Sequence, residues 1–100
     1  MSIAIDRLRD AANPDKASKL TELSKVPCSV QDVCKLRDRC VGAYVLQVDA
    51  LGAIAKFRAA APPDAEEVAD VEQKLEGARK LAHECLEAEL AVGRKYGTQI

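Results

Sequence analysis

The stretch Lys56-Phe57-Arg58-Ala59-Ala60-Ala61-Pro62-Pro63-Asp64-Ala65-Glu66-Glu67-Val68 decides the fold. Two adjacent prolines remove two backbone donors, and the residue before a proline avoids helical angles, so a helix arriving at Ala61 must end there. Asp64 is a good N-cap, and Glu66, Glu67 and Asp70 crowd the following turns, where the positive end of a helix dipole favours acid. Upstream, helix-compatible sequence runs from Ser29, itself a good N-cap with Asp32 three residues on, to about Ala61 without a proline. Downstream it runs to about Tyr96, with Gly97 as a C-terminal stop. Two helices of about 30 residues, each about 45 Å long, therefore meet at one sharp break.

The apolar spacing predicts how they pack. Steps of three and four select Val33, Leu36, Cys40, Ala43, Gln47, Ala50, Ile54 and Phe57 in the upstream helix. The same steps select Val68, Val71, Leu75, Ala78, Ala82, Cys85, Glu89 and Val92 downstream. Folding the chain between Pro62 and Pro63 sets Phe57 against Val68, Ile54 against Val71, Ala50 against Leu75 and Gln47 against Ala78. It then sets Ala43 against Ala82, Cys40 against Cys85, Leu36 against Glu89 and Val33 against Val92. Both patterns hold their register throughout, as an antiparallel coiled-coil seam requires, with Gln47 and Glu89 the off-type members. Charge agrees: residues 28–61 hold five basic and three acidic side chains, and residues 62–100 hold five basic and nine acidic. Lys35, Arg37 and Arg39 fall opposite Glu84, Glu87 and Glu89, and Lys56 and Arg58 opposite Glu66, Glu67 and Asp70, which would help set direction.

A second apolar stripe, Cys34, Val41, Tyr44, Val48, Leu51 and Ala55, with Leu86 and Leu90 on the matching side, would lie in water in a bare hairpin. Residues 1–25 supply the cover. Ile5, Leu8 and Ala12 share one helical face, Asn13-Pro14 reads as an N-cap with proline at the first helical position, and Leu20 and Leu23 follow before Val26-Pro27. The expectation is an all-α single domain over 1–100. Its hairpin (about 30–61 and 64–96, within 29–96) carries an N-terminal helical segment (1–25) as a three-helix bundle.

Composition narrows function. Hydrophobic residues make up 48% of the chain, but aromatics only 3%, so the core is aliphatic and suits closely spaced helices. A net charge of −1 offers no field to draw nucleic acid or an anionic membrane, and Lys35, Arg37 and Arg39 lack interleaved aromatics. The uncharged runs Val41–Val48 and Ala50–Ala55 are too short to span a bilayer. No nucleophile, base and orienting group converge, so no enzyme and no cofactor are expected. The only histidine, His83, reads as a boundary side chain. Glu84, Glu87 and Glu89 lack the Glu-x-x-His spacing of a di-metal bundle.

Cysteine is the informative residue. Cys40 and Cys85 face each other across the seam, and the next layer, Ala43 with Ala82, allows the close approach a disulfide needs. Cys28 and Cys34 could pin the strand entering the hairpin. A four-thiolate zinc site is disfavoured because five residues separate Cys28 from Cys34 and Cys34 from Cys40. A Cu(I) carrier using Cys40 and Cys85, and a cytosolic adaptor with reduced thiols, are the alternatives. The pattern departs from the twin cysteine-motif hairpins, which carry two cysteines on each helix, because the downstream helix holds only Cys85.

The even cysteine count points to a periplasmic or secreted module, although Met1–Asp6 carries no signal-peptide features and, taken literally, reads as cytoplasmic. The upstream helix is apolar nearly all round near its middle. Leu46, Leu81, Tyr44 and Val45 are therefore the candidate surface for an unidentified protein partner or a homodimer.

Overall fold

A computed structural model of the chain describes residues 1–59 and 62–97, and among these it contains four α-helices and no strand. Helix α1 spans Ser2–Asp10, α2 Lys16–Ser24, α3 Gln31–Ala59 and α4 Ala65–Tyr96, with a 3₁₀ turn at Asn13–Asp15. The long pair α3 and α4 forms the antiparallel hairpin, and α1 and α2 pack on it, giving a rod of 50 × 21 × 18 Å.

The helix ends follow local chemistry. The Asp64 side chain accepts from the Glu67 backbone N–H at 2.8 Å, closing the first turn of α4. Gly97 ends α4 at φ +88°, a conformation that only glycine adopts without strain. Ala60 and Ala61 lie outside the described residues. The turn at Asn13 differs from expectation. Ala12 occupies the cap position without a side-chain bond, and Asn13-Pro14-Asp15 forms the 3₁₀ turn itself. The N-terminal layer is consequently two nine-residue helices rather than one kinked helix.

The core runs along the seam and under this layer. Ile5, Leu8 and Leu23 are fully buried against Leu36, Cys40, Ala43, Tyr44 and Cys85. Val71, Ala78 and Ala50 continue the seam toward the break, where Val68 lies partly exposed. Two short helices cannot roof a hairpin of this length. Leu90, expected under the N-terminal segment, is 53% exposed, and Leu86 is also exposed. The physical reason is reach: nine residues of helix extend only about 14 Å.

The expected cross-seam ion pairs are also absent among the described residues. Arg37 binds Asp38 and the Val26 carbonyl, Asp70 pairs with Lys74, and Glu87 pairs with His83 at 3.0 Å. Exposed side chains find a partner on their own helix at lower entropic cost than across a seam. The bridge that does span α3 and α4 is terminal: Lys95 and the Tyr96 hydroxyl both donate to Asp32.

By length and composition alone α3 could cross a membrane, since an 18-residue stretch within it averages a hydropathy of 1.3; 22% of that stretch is buried in the fold. Gly42 and Gly52 lie within this continuous helix, and a Cβ added at either meets nothing within 4 Å. Gly52→Ala should therefore raise stability by about 1 kcal/mol, read as a higher denaturant midpoint at unchanged slope.

Candidate functional site

Two disulfides organise the molecule. Cys40 and Cys85 bond across the seam with Cα atoms 4.9 Å apart, both fully buried. That approach requires small neighbours, and Ala43 is buried beside it in the same core cluster. Cys28 and Cys34 bond with Cα atoms 5.5 Å apart, joining the segment before α3 to its first turn. Arg37 reinforces the same segment by donating to the Val26 carbonyl at 2.9 Å. Bonded to each other, Cys40 and Cys85 offer no thiolate to a metal, so a carrier would require their reduction.

An ion pair that sequence reasoning missed lies against the buried disulfide. The Arg9 guanidinium donates to Glu89 at 2.9 Å, approaches the Cys85 sulfur at 4.0 Å, and also meets Asp6 at 3.0 Å. Glu89, off-type in the seam, is 8% exposed, and Arg9 is the group that compensates it. Burial opposes the Arg9 charge. The Glu89 hydrogen bond and the nearby Tyr44 and Glu89 oxygens more than offset it, and its pKa lies above the ordinary value. The signal was present in sequence as an acid at an apolar seam position, but its partner sits 80 residues away.

Gln47, the other off-type seam residue, has no such partner. Its side-chain oxygen is buried with no donor. An orphaned buried acceptor costs about 1–3 kcal/mol. Gln47→Leu should accordingly stabilise the protein by about 1 kcal/mol, checked by equilibrium denaturation; a loss of stability would mean that the oxygen is satisfied by bound water.

The proposed surface residues do not all lie together. Tyr44 belongs to the core at 4% exposure, with the Lys16 ammonium 5.8 Å from its ring centroid, and is removed from the candidate surface. The cover given by α1 and α2 is what buries it. Val45 is exposed. Leu46 is half-buried beside Gly77, which leaves room for it, and Leu81 is half-buried in an open recess of about 650 Å³ whose rim carries Arg39, Glu84 and Glu87. The carboxylates grouped in the sequence are thus spread between a solvent rim and the buried Arg9 pair.

The clip at the open end of the hairpin is electrostatic. Hydrogen bonds from Lys95 and Tyr96, together with the Lys95 charge, hold the Asp32 carboxyl below its ordinary pKa. A depressed carboxyl pKa contributes stability above the unfolded value and loses it as pH falls through the folded value. Acidification below the ordinary carboxylate range should therefore release the end of α4. A fall in the amide protection factors at Arg94–Tyr96, exchange rates being taken relative to the intrinsic rate at each pH, would report this in the wild type, and Asp32→Asn should remove the pH dependence.

No protein-family model, curated protein or solved structure matches this chain. The fold and its bonds define a small, disulfide-stapled helical module.

Proposed function

We propose that this chain is a non-enzymatic interaction or structural module that works in an oxidising compartment, periplasmic or extracellular. The observation that carries the reading is the Cys40–Cys85 bond at the centre of the seam. It fixes the register of two long helices whose aliphatic core is too small to do so with a wide margin. Paired cysteines of this kind persist where thiols are oxidised. A rigid hairpin presenting Val45, Leu46 and Leu81 suits docking to a protein partner or to a second copy.

The test is to alkylate the protein at harvest without reductant and map its peptides. Cross-linked Cys40–Cys85 and Cys28–Cys34 peptides are expected. Four alkylated cysteines would replace this reading with the cytosolic adaptor. Molar mass by light scattering then separates the two docking modes, a dimer indicating self-association and a monomer a different partner.

A further inference from the structure

Beside Tyr44, where α1 and α2 meet the hairpin, lies a recess of about 360 Å³. Every charged residue lining it is basic: Arg9, Lys16 and Arg79. Two of these already have acidic partners. Arg9 pairs with Asp6 and Glu89, and Arg79 pairs with Glu76 at 3.0 Å. Lys16 is different. It is only 6% exposed, and its ammonium donates to the Leu8 and Arg9 carbonyls at 3.2 and 3.0 Å, with no carboxylate in ion-pair distance among the described residues. Those two bonds use two of its three protons; the carbonyls, at the negative end of α1, and the Tyr44 ring 5.8 Å away temper its charge, but no carboxylate neutralises it. Gln47 also lines the recess; its oxygen is buried in the seam, which leaves the amide N–H groups as its free end. The remaining wall is apolar, formed by Leu75, Ala78 and the Tyr44 ring.

A recess with one positive charge that no carboxylate pairs, a neighbouring amide donor and an apolar wall is complementary to one kind of ligand. We propose that it binds a small organic monocarboxylate, with the carboxylate received by Lys16 and Gln47 and the apolar body laid against Tyr44, Leu75 and Ala78. A monoanion matches the single unpaired charge. A bare inorganic oxyanion would leave the apolar wall uncovered. Burial lowers the Lys16 pKa, with Asp10 opposing weakly, as expected of an ammonium that lacks a close counter-ion.

The test is a titration of the ¹⁵N-labelled, oxidised protein with benzoate at constant ionic strength, followed by amide chemical shifts. Saturable shifts are expected at Lys16, Gln47 and Ala78, without matching movement at the exposed Lys25 and Lys80. Benzamide, of the same shape but neutral, should bind at least about tenfold more weakly, and inorganic phosphate should not saturate these signals, since a charge-assisted hydrogen bond is worth about that factor or more. Lys16→Met, which keeps the buried stem, should cost about tenfold in benzoate affinity, and Gln47→Leu should weaken it without touching Lys16. Shifts that never saturate, equal affinity for benzamide, or unchanged benzoate affinity in folded Lys16→Met would each overturn the proposal. Should Lys16→Met fail to fold, the benzoate–benzamide contrast and Gln47→Leu decide it.

Discussion

Replacing Cys40 and Cys85 together by alanine is expected to lower the unfolding free energy by about 4 kcal/mol. The bond closes a loop of 45 residues, and the entropy removed from the unfolded chain by a loop of that size corresponds to about 4 kcal/mol. The native cost is smaller, because two alanines leave only the space of two sulfur atoms unfilled beside Ala43. A domain of this length has total stability on the order of 5–10 kcal/mol, so the variant should sit near its unfolding transition at 37 °C. Chemical denaturation of the oxidised wild type and the double variant measures the difference.

The same substitution at Cys28 and Cys34 should cost only about 2 kcal/mol, because their bond spans six residues. Its loss loosens the entry to α3 and leaves the seam intact. If both double variants cost the same, loop entropy is not what the seam disulfide contributes, and native packing must account for its effect.

The two disulfides were legible because each cysteine of a pair is placed by something else the sequence states plainly. The Pro62-Pro63 break sets the fold-back point, the three-and-four spacing sets the seam, and together they bring Cys40 to Cys85. The N-terminal layer was legible only as cover. Ile5, Leu8 and Leu23 announce a buried face, but where they dock depends on contacts between distant segments, which periodicity does not encode. This explains why Leu86 and Leu90 are left outside. The recess around Lys16 was illegible for the same reason. A lysine after a proline turn looks solvated in sequence, and its burial follows from two α1 carbonyls that happen to end above it. The cross-seam charge pairs failed differently: the sequence places opposite charges on facing helices, yet exposed chains settle on neighbours within their own helix.

Arg9→Met should destabilise the protein by about 2 kcal/mol, and adding Glu89→Leu should recover most of that loss. Removing one partner of a fully buried pair costs about 3–5 kcal/mol, because the other charge stays desolvated and unpaired. The Arg9 side chain retains 29% exposure against 9% for Glu89, so solvent screens part of the interaction and the smaller figure applies. Glu89→Leu alone should cost less than Arg9→Met. The freed guanidinium keeps Asp6 and reaches water, while leucine at position 89 completes the apolar seam that Leu36 begins on the facing helix. In the double variant no buried charge is left at this position of the seam, and methionine covers the Cys85 sulfur that Arg9 approached. A coupling energy of about 1–2 kcal/mol from the full double-mutant cycle would mean that the pair's role is to choose where α1 docks, since an acid in the seam accepts only the register that brings a cation to it. Near-zero coupling, with Arg9→Met costing no more than Glu89→Leu, would instead make the docking of α1 a matter of Ile5 and Leu8 alone. The contribution of the ion pair would then be no greater than that of an exposed one.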